Sequence, residues 1–134
     1  MATRTTIDFV VVTPERQVLE ETAEALVIPA HDGELGVLPQ RAPLMCELGV
    51  GQMRYQKGGR THRLFIDGGF AQVHDNRVIV LTAAAARPEE ITDEMISQAE
   101  HAGDAIEGRT PEDIEARTRC KRRADVLRRM RAAS

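Results

Sequence analysis

Four histidines, two cysteines and two serines are the side chains from which this 134-residue sequence would build nucleophilic or metal chemistry. Their spacing argues against it. A metal site needs ligands at intervals that one turn or helix can bring together, and His31, His62, His74 and His101 recur at no such interval. Cys46 and Cys120 belong to no C-x-x-C and are expected as two reduced thiols. Ser97 lies in a helical pattern and Ser134 at the end of the chain, so neither sits in a nucleophile elbow. The carboxylate pairs Glu20-Glu21 and Glu89-Glu90 are explained by solvation and by helix first turns. "GELG" and "GGFAQ" lack the strand-glycine-helix context of a dinucleotide site, and no P-loop is present. The sequence therefore predicts no catalytic residue, no metal and no cofactor.

Charge is the remaining chemistry. From Arg109 onward nine Lys or Arg face four acids, a balance of +5 that leaves −8 for residues 1–108. The stretch "RTRCKRRADVLRRMR" (117–131) has the arginine density that phosphate neutralisation requires. It lacks the interleaved aromatics and the reading module of a nucleic-acid binder. A solvated helix face and a surface that docks on an acidic protein are the other readings, and docking is the one favoured.

These charges must be carried by elements. Segments 6–12, 16–21, 24–30, 44–48, 52–56, 62–67, 70–75 and 77–83 are short, rich in β-branched residues and separated by turn residues, which predicts a sandwich or barrel. Thr13-Pro14-Glu15, Gly58-Gly59 and Asp75-Asn76 suit turns. Gly68-Gly69 lies between apolar segments without a polar spacer, so a close backbone approach or a bulge is expected there. "PAHDGELGVLPQRAPLM" (29–45) reads as a structured loop.

After residue 83 the period becomes helical. Ile91, Met95, Ala99, Ala102 and Ile106 share one face behind the cap Thr92, and Gly108 ends the run. Thr110-Pro111-Glu112-Asp113 restarts a helix, with Ala116, Cys120, Ala124 and Leu127 aligned behind it. Ala and Cys bury little area and Gly103 costs about 1 kcal/mol relative to Ala, so the seam is expected to be thin and the hairpin easily opened or detached. The expected division is a strand domain at 1–86 and a helical hairpin at 87–134. No apolar run nears the roughly 18 residues of a membrane span, and "MATRTTIDFVVV" is no secretory signal, which predicts a protein kept on the cytosolic side.

The combination of an all-β domain, the loop "DGELGVLP-x-x-AP", the later "GG" and a charged two-helix tail closely resembles the epsilon subunit of bacterial F-type ATP synthases. The resemblance implies a β-sandwich of about ten strands plus a C-terminal antiparallel two-helix hairpin. It implies a non-catalytic part of the central rotor stalk at the cytoplasmic face of the bacterial inner membrane, attached to the membrane only through the complex. The implied partners are the gamma subunit, the c-subunit ring and the catalytic alpha/beta hexamer, with no nucleic acid.

It also implies roles for residues. Asp32, Glu34, Leu35, Arg41 and Pro43 would contact the c ring, with Gly33, Gly36, Gly68 and Gly69 shaping the turns. Arg41 replaces the histidine common in the family, so a fixed charge stands where a titrating group is usual. Arg122, Arg123, Arg128 and Arg129 would meet the hexamer and restrain ATP hydrolysis. The ATP-binding motif Asp-x-x-Arg-Ala of some relatives is broken, because Ile96 follows Asp93 where the arginine belongs. The alternative is a free-standing β-sandwich adaptor whose basic tail binds nucleic acid.

Overall fold

The computed structural model describes residues 5–133. Ser134 and the first four residues of the N-terminal segment lie outside them. The chain divides into two compact units that part between Ala86 and Arg87.

The first unit is all strand: β1 (Ile7–Val12), β2 (Gln17–Ala23), β3 (Ala25–Ala30), β4 (Gly33–Val37), β5 (Leu44–Lys57), β6 (Arg60–His74), β7 (Arg77–Leu81) and β8 (Ala85–Ala86). Their order is β2-β1-β7-β6-β5-β3-β4, with β8 added on β6. The β1–β7 pair is parallel and every other pair is antiparallel.

Two long strands turn this ladder into a sandwich. Residues 44–48 of β5 pair with residues 69–73 of β6, beside β7, while residues 50–57 pair with 60–67, beside β3 and β8. Each long strand thus serves both layers. Gly68 and Gly69, at φ +68° and +105°, let β6 bend while it keeps its register with β5, since side chains avoid that region. Alternation then sends Ile7, Phe9 and Val11, Leu26 and Ile28, Leu64 and Ile66, and Val78 and Val80 into one core between the layers. Each such side chain contributes roughly 1.5–3 kcal/mol of burial.

The eight expected segments are regrouped. Segments 44–48 and 52–56 are one strand, and 62–67 and 70–75 are another, because the glycines between them bend the strand without ending it. β4 falls in the stretch expected to be a loop, and β8 was not expected. Among the described residues eight strands form the sandwich, and the two bent ones supply a segment to each layer.

The second unit holds a 3₁₀ turn (Pro88–Glu90) and two helices, α1 (Asp93–Asp104) and α2 (Pro111–Ala133). Thr92 caps α1, its Oγ1 accepting from the Met95 N–H at 3.2 Å. A reciprocal box starts α2: the Asp113 N–H donates to Thr110 Oγ1 at 3.1 Å and the Thr110 N–H to Asp113 Oδ2 at 3.4 Å.

The seam differs from the expected one. Ala99 and Gly103 are buried on α1, and Cys120, Ala124, Val126, Leu127 and Met130 on α2. Ala102 is exposed and Ile106 lies beyond the helix, which ends at Asp104 rather than at Gly108. Gly103 is more than a cost. A Cβ there would stand 3.1 Å from the Cys120 Cβ, so its bareness is what lets the helices approach.

Candidate functional site

The loop residues singled out in the sequence gather on the β3–β4 hairpin and the segment after it. Gly33 takes φ +139° after the His31-Asp32 turn, and the His31 N–H donates to the Glu47 carbonyl at 2.8 Å. Gly36 has open space around it. Alternation along β4 decides which side chains reach solvent: Leu35 turns inward and packs on the core, whereas Glu34 is exposed. Glu34 is paired, its Oε2 receiving Arg54 Nη1 at 2.5 Å on the same face of the sheet. Leu35, partly buried, therefore helps position the hairpin.

Residues 38–43 are fastened to the turn between β6 and β7. Gln40 adopts φ +67°, and its N–H donates to Asn76 Oδ1 at 2.5 Å. Asn76, at φ +60°, in turn accepts at its carbonyl from the Asp8 N–H at 3.0 Å. The Arg41 N–H closes a small turn on the Leu38 carbonyl at 3.2 Å. So held, the segment leaves Arg41 and Pro43 exposed, as Asp32 is on the hairpin before it, together with two large apolar groups, Leu38 (64%) and Met45 (68%). Their parity was the available signal, since Val37 and Leu44 next to them take the inward positions.

A second surface was missed altogether. Phe70, Leu81 and Val12 are direct partners across β6, β7 and β1, and Phe70 and Leu81 remain about half exposed. A shallow, mainly apolar hollow of about 400 Å³ adjoins, lined by Val12, Thr13, Pro14, Leu81, Thr82 and Ala83. The continuous apolar run in "RVIVL" was the clue, because a strand with one wet face would alternate.

On α2, Arg122, Arg128 and Arg129 are exposed and Arg123 is half-buried. Arg128 is engaged with Glu100 of α1, and it reaches Asp125 on its own helix at 3.0 Å. Arg131 pairs with Asp93. Arg117 Nη1 donates to the carbonyls of Ile106 at 2.9 Å and Gly108 at 2.5 Å, closing the connection between the helices.

The reactive groups do not converge. No cluster of three or more His, Cys, Asp or Glu fit to hold a metal occurs among the described residues. Burial pushes the Cys46 thiol up, which keeps it protonated and weakly nucleophilic. A polar hollow of about 380 Å³ lined by Asp8, Glu20, Glu21, Thr22, Lys57 and Arg77 is largely self-satisfied, with Lys57 on Glu21 and Thr22 Oγ1 donating to Asp8 at 2.9 Å. What the molecule presents is therefore surface: a braced apolar-and-charged end, an apolar row and a cationic helix. No helix among the described residues is long and apolar enough to cross a membrane.

Known proteins share this fold. Over its whole length the fold matches a chain in the Euglena gracilis mitochondrial ATP synthase (OSCP/F1/c-ring), with TM-score 0.72, 26% identity, and coverage of 99% of this chain and 84% of that one. A central stalk/c-ring structure of the Tetrahymena thermophila mitochondrial ATP synthase matches at TM-score 0.66 and 13% identity, over 99% and 98%, a likeness of fold alone.

In sequence, the ATP synthase epsilon chain of Pelotomaculum thermopropionicum is 51% identical over 81 residues, 60% of either chain. That of Carboxydothermus hydrogenoformans is 43% identical over 106 residues, 78% of this chain and 79% of its own. The match thus spans under two thirds of the first relative and over three quarters of the second. The family described as ATP synthase, delta/epsilon chain, β-sandwich domain matches residues 6–88, and to that family this chain belongs.

Proposed function

We propose that this chain is the epsilon subunit of a bacterial F-type, proton-translocating ATP synthase, a non-catalytic component of the central stalk. It joins the gamma subunit to the c ring at the cytoplasmic face of the membrane, and the chemistry lies in other chains. The single observation that carries this reading is the likeness to a chain of an assembled F1/c-ring along both units, and not along the sandwich alone. The braced loop suits a foot that must hold its shape under load, with Asp32, Arg41, Pro43, Leu38 and Met45 as its contact groups. Glu34 contributes there through its pair with Arg54.

Residues 88–134 restrain ATP hydrolysis in this reading, with Arg122, Arg123, Arg128 and Arg129 directed at acidic surfaces of the alpha/beta hexamer. Size-exclusion chromatography of the chain mixed with gamma tests the first part: a stable complex is expected, and two separate peaks would refute it. Assembly of the enzyme with a chain ending at residue 87 tests the second. Hydrolysis should rise, and an unchanged rate would remove the restraint.

A further inference from the structure

The two helices of the second unit carry opposite charge. Residues 88–108 hold seven acids and no Lys or Arg, whereas the segment from residue 109 carries the balance of +5. The acids and the arginines meet: Glu100 on α1 holds Arg128 of α2, and Asp93 in the first turn of α1 holds Arg131 near the end of α2. Both pairs lie towards the start of α1 and the end of α2, beyond the close approach of Gly103 to Cys120, where the seam is built from small residues. Arg128 is one of the arginines offered above to an acidic partner.

We infer that α1 is a built-in competitor for the acidic partner of α2: Glu100 and Asp93 hold Arg128 and Arg131 while the hairpin is closed, and opening removes that hold, leaving Arg128 only its exposed neighbour Asp125 on the same helix. The inference rests on the proposed restraint by α2 for its consequence, but not for its physics. An exposed ion pair shifts an opening equilibrium by about twofold to fivefold, and salt weakens it. The cationic helix is thus self-masked, and its availability is set by the acids of its neighbour.

Cys120 reports the opening, because it is buried where Gly103 crosses α2, while Cys46 in the other unit serves as an internal reference. The full-length chain is treated with N-ethylmaleimide and modification of each cysteine is followed by peptide mass. Glu100→Gln should speed labelling of Cys120 about twofold to fivefold relative to Cys46, and adding Asp93→Asn should speed it further. Added salt should speed the wild type more than the double variant. Exchange of charges, Glu100→Arg with Arg128→Glu, should slow labelling again relative to Glu100→Arg alone. Unchanged helicity by circular dichroism separates opening from unfolding. A Cys120 rate that ignores both substitutions and salt would overturn the inference. In the assembled enzyme, faster labelling with unchanged hydrolysis would leave the competitor standing and sink the restraint reading instead.

Discussion

Gly69 on β6 lies so close to Leu81 on β7 that a Cβ at position 69 would stand 1.9 Å from the Leu81 carbonyl oxygen and 2.9 Å from the Thr82 Cα. Both obstacles are backbone, so no rotamer change relieves them. The φ of +105° adds a second penalty for any side chain. Gly69→Ala should destabilise the sandwich by about 3 kcal/mol or more. Gly36→Ala, with open space around it, should change stability by less than about 0.5 kcal/mol. Urea midpoints of the two variants compare them directly; equal midpoints would deny the close approach.

Arg41 is exposed, and it is its backbone N–H that closes the turn on the Leu38 carbonyl. Arg41→Glu should therefore leave the urea midpoint within about 0.5 kcal/mol of wild type while reversing a charge at the proposed foot. Weaker co-purification with the c ring and less efficient coupling of proton flow to ATP synthesis are expected. Intact coupling in that variant would remove Arg41 from the contact.

Glu21 on β2 and Lys57 at the end of β5 tie together strands from different layers. The hydrogen bond from Lys57 holds the Glu21 carboxyl below its ordinary 4.5, and the bond to Glu21 holds Lys57 above its ordinary 10.5. A carboxyl depressed by folding contributes stability above its unfolded pKa and loses it as pH falls through the folded one. The Lys57 share is present below 10.5 and lost as pH rises beyond its raised value. Lys57→Met should thus flatten the acid limb of stability below pH 4.5. A small effect is expected at an exposed site, read from urea midpoints across that range; identical acid limbs would show that the pair is not formed.

Thr110→Ala deletes the acceptor for the Asp113 N–H at the start of α2. A loss of about 1 kcal/mol is expected in the hairpin, with Thr110→Ser close to wild type. Thermal melting followed by far-ultraviolet circular dichroism measures both. An alanine variant that melts with the wild type would show the box to be idle.

What the sequence disclosed followed periodicity. The strands holding Phe9, Ile28 and Val80 announce themselves as short runs rich in β-branched residues, and the helix starts at Thr92 and Thr110 by their place before acids. β4 stayed hidden because Gly33, Gly36 and the prolines around it spoke for a loop, although Leu35 and Val37 alternate with Glu34 and Gly36. The continuity of β5 and β6 was masked by glycines that bend a strand without ending it. The docking of Gln40 on Asn76 joins positions far apart in the chain, and no local pattern encodes such a bond. Arginine function divides likewise: composition gave the cationic helix, but only the geometry shows that Arg128 is already spoken for.

The passage of β5 and β6 through both layers has a mechanical consequence. In a sandwich held only by side chains, one layer could slip over the other under a twisting load with nothing but greasy contacts to resist. Here the layers are continuous at one fold, so slippage would have to rupture a row of peptide hydrogen bonds or stretch the chain itself. Such a body behaves as a keyed joint, stiff in torsion whatever the exact filling of its interior.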